Sequence, residues 1–178
     1  MRKVVLFIAV SVDGYIADKN GNVGWLNGQN EEVENEDTYS EFIKDIDTVI
    51  MGWNTYHQVV TELSPGQWPY RELTSYVITH REGEDLGSED ICFVSERPGA
   101  LLRRLKEEPG KDIWICGGAD VVRQLMEEEL IDLFYLSVIP TLLGSGTRLF
   151  GSLDFELKLK LVRVYSYNGI TEMVYKKR

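Results

Sequence analysis

The chain has 178 residues, of which 43% are hydrophobic and 27% charged, and its formal net charge is −10. This length and balance predict one globular domain over residues 1–178 and exclude a low-complexity disordered protein. The negative charge argues against a nucleic-acid partner, and no stretch approaches the ~20 apolar residues of a membrane span.

The first half of the chain is predicted to alternate between strands and helices. The apolar run at 3–11 predicts a buried strand rather than a signal peptide, because it is short and Asp13 follows it, so a cytoplasmic location is expected. Segment 18–25 is dense in Asn, Asp and Gly and predicts a loop. Apolar spacing predicts a helix in the second half of 30–46. Further elements predicted in this half are a strand at 47–52, a helix at 53–60, a loop at 62–70 and a strand at 75–80.

The second half continues the alternation and ends in a hairpin. The dipeptide Asn168-Gly169 separates two strand-like runs within 159–178, which is a strong hairpin signal. The other predicted elements are strands at 91–95, 112–116 and 133–140, helices at 97–108 and from Gly118, and a glycine-rich loop at 141–151. The whole pattern predicts an α/β fold with a central, mixed, mainly parallel sheet, a C-terminal hairpin and flanking helices.

The cysteines and histidines give no metal-binding pattern. Cys92 and Cys116 lie in strand-like runs and are predicted to be buried, reduced thiols. His57 and His80 are far apart, with no ligand cluster around them, so no metal is expected.

Gly117-Gly118 lies between a predicted strand and a predicted helix. Glycine has no Cβ, so a phosphate can approach the backbone, and the helix N-terminus attracts an anion. The alternative is a tight turn with no ligand. Gly52 stands at a second such junction, where Thr55 either caps the helix or binds a phosphate. Two junctions in one sheet favour an extended, two-phosphate ligand such as a dinucleotide.

Four segments in this order resemble the dihydrofolate-reductase-like superfamily, and most closely the RibD C-terminal domain, the reductase of riboflavin biosynthesis, with its stand-alone relatives. They are "IAVSVDGYIADKNGNVGWL" (8–26), "DTVIMGWNTY" (47–56), "WICGGADVVRQLMEEELIDLFYLSVIP" (114–140) and "TLLGSGTRLF" (141–150). The last segment, with the proline before it, resembles the riboflavin-type branch more than true dihydrofolate reductase.

The resemblance implies a three-layer fold around about eight strands and an NADPH-dependent reductase that transfers a hydride to a pterin- or aminopyrimidine-type substrate. It also implies a mobile flap at 18–26, a substrate-facing helix at 36–46 and a border of the site at 143–147. The residues implied to bind the cofactor are Ala9, Ile16, Ala17, Gly52, Trp53, Asn54, Thr55, Thr79, His80, Arg81, Cys116, Gly117, Gly118, Ala119, Asp120 and Val121. Those implied to bind substrate are Val10, Trp25, Asp37 and Leu143.

Two departures from the family pattern leave alternatives open. Relatives often carry a basic residue where Trp53 stands, and that charge holds the 2′-phosphate of NADP. Arg81 or His80 could replace it, or Arg81 is an ordinary surface charge and NADH is also used. The carboxylate that grips the pterin ring in true dihydrofolate reductases corresponds to Asp37 or Glu36, which are the candidate catalytic residues, unless both are simply solvated. If it were desolvated, the pKa of Asp37 would rise.

A second carboxylate, Asp13, either takes part in the chemistry or bonds the backbone of a turn, and the turn is favoured. The resemblance further implies a homodimer, formed through strands at 133–140 and 159–178. The competing function is a non-catalytic nucleotide-binding protein on the same fold.

Overall fold

The structure is a computed structural model that describes residues 1–81 and 91–178. Eight strands form one sheet in the order β5-β4-β3-β6-β1-β7-β10-β9, and β2 pairs with β8 in a second, small sheet. The strands are β1 (Val4–Ser11), β2 (Tyr15–Ala17), β3 (Ile46–Gly52), β4 (Thr74–Ile78), β5 (Ile91–Val94), β6 (Asp112–Gly117), β7 (Leu133–Ile139), β8 (Thr147–Arg148), β9 (Leu159–Tyr167) and β10 (Ile170–Lys177). The helices are α1 (Thr38–Ile43), α2 (Trp53–Gln58), α3 (Pro98–Glu107) and α4 (Ala119–Glu127), and a π-helical turn (Val59–Leu63) continues α2.

The pairing confirms a mixed, mainly parallel sheet. Strand β1 runs parallel to β6 and β7, β3 runs parallel to β4 and β6, and β4 runs parallel to β5. The C-terminal hairpin adds β10 antiparallel to β7, and β9 antiparallel to β10. The carboxyl ends of β1, β3, β4 and β6 therefore meet at one edge of the sheet, which is where α/β folds bind ligands.

The central strands have a core on each face of the sheet, and successive side chains of a strand point to opposite faces. In β3, Ile50 belongs to the core beneath α3 and α4, whereas Val49 and Met51 belong to the core beneath α2 and the π-helical turn. Helix α3 begins at Pro98, and its Leu101, Leu102 and Leu105 are buried on the same side.

Several predicted boundaries differ from the structure. The small sheet of Tyr15–Ala17 and Thr147–Arg148 was not predicted, because strands of two or three residues are too short for an alternating pattern. The predicted helix in 30–46 is shorter than expected, since α1 has six residues and the segment before it is irregular. The loop predicted at 62–70 starts later, because the π-helical turn extends to Leu63.

The prediction that both thiols are buried is wrong for Cys92, which is exposed on the edge strand β5, and Cys116 is only half-buried. An edge strand has an open side, so an apolar run there does not bury every residue. Both cysteines are free. In residues 1–81 and 91–178, no group of three or more His, Cys, Asp or Glu side chains could hold a metal ion. Within those same ranges, no helix is long and apolar enough to cross a membrane.

Candidate functional site

A long cleft follows the carboxyl ends of β1, β3, β4 and β6. Its lining includes Ala9, Gly52, Ile78 and Gly117, one from each of these strands, and its volume is about 1390 Å³. Pockets for one drug-sized ligand usually enclose about 300–1,000 Å³. The cleft is therefore large enough for a dinucleotide with a second small molecule beside it.

The middle of the cleft is a cradle made by the two strand–glycine–helix junctions, which we call the glycine cradle (Gly52, Thr55, Gly117 and Gly118). The junctions are neighbours because Met51 of β3 pairs with Gly117 of β6. A Cβ on Gly118 would lie 3.3 Å from the Thr55 Oγ1, and one on Gly52 would lie 3.2 Å from a methyl carbon of Val121. The absence of side chains at these glycines thus keeps the backbone open to the cleft.

The glycine cradle also has the electrostatics of an anion site. Gly52 is the N-cap of α2 and Gly118 the N-cap of α4, so neither N-cap residue has a side chain to bond the N–H groups of the first turn. Helix N-termini carry a partial positive charge that favours anions. Asp120 lies in the first turn of α4, but its carboxylate accepts hydrogen bonds from Arg123 at 2.6 Å and from Gln124 at 2.7 Å, which lowers its pKa.

One end of the cleft carries an arginine stacked on an aromatic ring. The guanidinium carbon of Arg81 lies 4.6 Å from the centroid of the Trp53 ring, a cation–π distance. Trp53 is itself flanked by Tyr56 and His57, with ring centroids 5.4 Å and 6.0 Å away. The structure therefore places a positive charge directly over the residue that departs from the family pattern.

Outside the cleft lining, Asp13 fastens the glycine-rich loop to the end of β1. Its carboxylate accepts hydrogen bonds from the backbone N–H groups of Leu143 at 3.1 Å and Gly144 at 2.7 Å, and from the Ser11 hydroxyl at 2.6 Å. The Ser11 hydrogen bond is the main cause that lowers the pKa of Asp13 to about 2. Asp13 therefore bonds backbone, as predicted, but the backbone is that of the distant glycine-rich loop and not that of a turn beside Gly14.

Another part of the cleft wall is built from Tyr70 and Cys116. The Tyr70 hydroxyl oxygen lies 3.8 Å from the Cys116 sulfur, and both residues line the cleft. Burial raises the pKa of the Cys116 thiol to about 11 and that of Tyr70 well above its usual value. At neutral pH this wall is therefore uncharged.

The structure brings together all of the residues predicted to bind the cofactor. The following residues line the one cleft: Ala9, Ile16, Ala17, Gly52, Trp53, Asn54, Thr55, Thr79, His80, Arg81, Cys116, Gly117, Gly118, Ala119, Asp120 and Val121. Their role in binding a cofactor stays a prediction.

The residues predicted to bind substrate are not in the cleft lining. Val10 is 7% exposed and lies in the core beneath α3 and α4. The indole N–H of Trp25 donates to the carbonyl oxygen of Asn22 at 3.2 Å, and Leu143 meets Asp13 through its backbone. None of these three side chains borders the cleft.

The candidate catalytic carboxylates Glu36 and Asp37 also lie elsewhere. They line a separate cavity of about 500 Å³, between α1 and the sheet, and not the cleft. Asp37 is exposed and caps α1 by accepting a hydrogen bond from the Ser40 backbone N–H at 3.0 Å. The Ser40 hydrogen bonds lower its pKa, opposite to the rise expected for a desolvated carboxyl, so the geometry gives these two carboxylates no part in the cleft.

Other residues of the cleft carry no sequence signal for a site. Tyr70 stands at the end of a predicted loop, and His57 and Arg97 lie outside any motif, so no local pattern singled them out. The lining residues that the sequence analysis left unassigned include His57, Val59, Leu63, Tyr70, Arg97 and Gln124.

Comparisons with known proteins agree with this architecture. The family model of the RibD C-terminal domain matches residues 2–171. A Bacillus subtilis (strain 168) protein named "Uncharacterized protein YwjB" is 41% identical over 174 residues, which cover 98% of this chain and 97% of that protein. A second protein of that strain, "Uncharacterized protein YyaP", is 28% identical over 183 residues, covering 98% of this chain and 94% of that one.

Solved structures share the fold. A "Putative riboflavin biosynthesis protein" from Shewanella sp. PV-4 superposes with a TM-score of 0.88 and 26% identity, and the match covers 99% of each chain. The Thermotoga maritima diaminohydroxyphosphoribosylaminopyrimidine deaminase/5-amino-6-(5-phosphoribosylamino)uracil reductase has a TM-score of 0.72 at 17% identity, and the match spans 99% of this chain and 57% of that one. A pyrimidine reductase-like protein from Corynebacterium diphtheriae has a TM-score of 0.67 at 18% identity, covering 99% of this chain and 92% of that one. The last two similarities establish the fold alone.

Proposed function

This chain belongs to the RibD C-terminal domain family, and on that premise we propose that it is an NADPH-dependent reductase of a pterin- or aminopyrimidine-type heterocycle. The observation that carries the proposal is the glycine cradle, where two helix N-termini and side-chain-free backbone meet in one cleft. A cradle of this kind fits the pyrophosphate of a dinucleotide.

Three groups of cleft residues are proposed to bind three parts of the cofactor. Gly117, Gly118, Ala119 and Asp120 hold the pyrophosphate, and Gly52 to Thr55 hold the phosphates on the adenosine side. Ala9, Ile16 and Ala17 border the nicotinamide. When bound, NADPH supplies the hydride. The chain's own residues bind and orient the cofactor and the substrate, and they exclude water from the reacting carbons.

We also propose that Arg81 replaces the missing basic residue at Trp53 and holds the 2′-phosphate of NADPH. The Trp53 ring beneath the guanidinium keeps that charge at the cleft, and arginine binds phosphate through charge-assisted hydrogen bonds. The preference of the protein for NADPH over NADH then depends on Arg81.

Replacing Arg81 by alanine is expected to weaken NADPH binding by about tenfold, which is about 1.4 kcal/mol, and to leave NADH binding unchanged. NADH lacks the 2′-phosphate, so it does not use this contact. The measurement is calorimetric titration with both nucleotides, and the matched control is Arg71→Ala, an exposed arginine outside the cleft lining. Equal weakening of NADPH and NADH in Arg81→Ala would show that Arg81 has no role in this preference.

The substrate class is tested by turnover. The purified protein is mixed with NADPH and either 5-amino-6-(5-phosphoribosylamino)uracil or dihydrofolate, and the absorbance of reduced nicotinamide is followed. We expect NADPH to be oxidised in the presence of at least one of the two heterocycles. If NADPH binds saturably but no heterocycle of these classes causes its oxidation, the result would favour the alternative function, a non-catalytic nucleotide-binding protein.

We further propose that two copies pair through the edge strand β9. Its Leu161, Val162 and Val164 are 49%, 54% and 52% exposed. Among the described strands, β9 pairs with β10 alone, so its outer edge has no partner strand there. Light scattering is expected to give the mass of a dimer, and Val162→Lys is expected to give a monomer. A monomeric mass of the unmodified chain at all concentrations would contradict the proposal.

A further inference from the structure

Tyr70 is held rigidly in the wall of the cleft. It follows the π-helical turn and precedes β4, and its ring is half-buried. Trp68 and Trp114 pack against it edge to face, with ring centroids 5.1 Å and 5.2 Å away and interplanar angles of 89° and 88°. Two perpendicular indole contacts fix the direction of the ring, so its hydroxyl has a defined position.

The hydroxyl of Tyr70 has a poor partner. Among the residues that the structure describes, its only contact of hydrogen-bonding type is the Cys116 sulfur at 3.8 Å. Sulfur is a weak acceptor, whereas a buried phenol usually bonds to an oxygen or nitrogen. The phenol is thus a donor whose hydrogen-bonding capacity the described residues do not fully use.

The Tyr70 hydroxyl lies in the same cleft as the glycine cradle. Cys116 immediately precedes Gly117 at the carboxyl end of β6, and both Tyr70 and Cys116 line the cleft. The phenol therefore contacts the residue next to the glycine cradle, within the same cleft. Burial raises the pKa of the Tyr70 phenol well above its usual value, so the group is a neutral donor at neutral pH.

We propose that the Tyr70 hydroxyl donates a hydrogen bond to a carbonyl oxygen or ring nitrogen of the heterocyclic substrate and so determines which heterocycle is accepted. The inference rests on the proposed reductase function and deepens it. Carbonyl oxygens and ring nitrogens are stronger acceptors than a thiol, so substrate binding exchanges a weak contact for a good one at little cost in side-chain order. A heterocycle without an acceptor at that position leaves the phenol with the sulfur alone and is bound less tightly.

The test compares Tyr70→Phe with a matched control, Tyr175→Phe. The Tyr175 hydroxyl also bonds to a sulfur, the Met173 thioether at 3.3 Å, but it lies on β10 outside the cleft lining. Binding of 5-amino-6-(5-phosphoribosylamino)uracil and of dihydrofolate is followed by quenching of tryptophan fluorescence, because Trp68 and Trp114 pack against Tyr70. NADPH affinity and the thermal midpoint are measured on the same variants.

We expect Tyr70→Phe to weaken binding of the accepted heterocycle by about 3- to 10-fold and to raise KM more than it lowers kcat. NADPH affinity and the thermal midpoint stay at their original values, and Tyr175→Phe behaves like the unmodified protein. Unchanged heterocycle affinity in Tyr70→Phe overturns the inference, and so does an equal loss of NADPH and heterocycle affinity, which would indicate a packing role. No binding of either heterocycle by the unmodified protein also overturns it.

The binding measurement does not depend on turnover. If the heterocycle binds and Tyr70→Phe weakens it, but NADPH is never oxidised, the assignment of Tyr70 stands and the reductase function fails. If NADPH is oxidised at the same KM in both proteins, the reductase function stands and the assignment of Tyr70 fails.

Discussion

Replacing Gly118 by valine is expected to weaken NADPH binding by about 100-fold or more, which corresponds to about 3 kcal/mol. A Cβ there lies 3.3 Å from the Thr55 Oγ1, so a branched valine side chain is expected to take up space in the glycine cradle, where we propose that the pyrophosphate binds. The φ and ψ of Gly118 are those of extended backbone, which residues with a side chain also adopt, so we assign the expected loss to the blocked cradle. Isothermal titration calorimetry measures the change.

The control for Gly118 is Gly151→Val. Gly151 lies outside the cleft lining, and a Cβ there meets no atom within 4 Å. The Gly151→Val variant should bind NADPH like the unmodified chain, and circular dichroism should show that both variants are folded. A folded Gly118→Val protein with unchanged NADPH affinity would remove the phosphate role from the Gly117-Gly118 junction and leave it as an ordinary turn.

Replacing Gly146 by alanine is expected to lower the free energy of unfolding by about 2–6 kcal/mol. A Cβ at this position would lie 2.0 Å from the carbonyl oxygen of Ala17, far inside contact distance, and the φ of Gly146 is +142°, which side-chain-bearing residues rarely adopt. The backbone of the loop must therefore move away from Ala17, and the small β2–β8 sheet at the cleft must loosen with it. Urea denaturation, monitored by tryptophan fluorescence, measures the decrease in the free energy of unfolding.

Gly144→Ala separates steric overlap from backbone conformation. Gly144 lies in the same loop with a φ of +72°, but a Cβ there meets nothing within 4 Å. Its replacement should cost only the left-handed conformation, about 1–2 kcal/mol. Equal losses in the two variants would mean that the close approach of Gly146 to Ala17 does not hold the loop.

The glycine cradle could be predicted because its parts are local. A strand, a glycine and a helix follow one another directly at Gly52 and at Gly117-Gly118, and the rule that parallel strands end at one edge places the two junctions together. The pairing of Met51 with Gly117 supplies the detail that they are neighbours. The mainly parallel sheet was predictable for the same reason, since strand–helix alternation is a local pattern.

The contacts between distant segments could not be predicted. The stacking of Arg81 on Trp53 and the approach of Tyr70 to Cys116 join separate elements, and no spacing rule relates them. Asp37 was misplaced for another reason: α1 is so short that Asp37 stands at its N-cap, where a carboxylate turns back to its own helix. An approximate helical register was too coarse to distinguish a capping residue from one that faces a pocket.

The most direct test of the account is titration of the unmodified protein with NADPH and NADH, followed by nicotinamide fluorescence. The glycine cradle and Arg81 together predict saturable binding of one nucleotide per chain, with NADPH bound more tightly than NADH. If neither nucleotide binds, the cleft is not a dinucleotide site and the proposed reductase function is wrong.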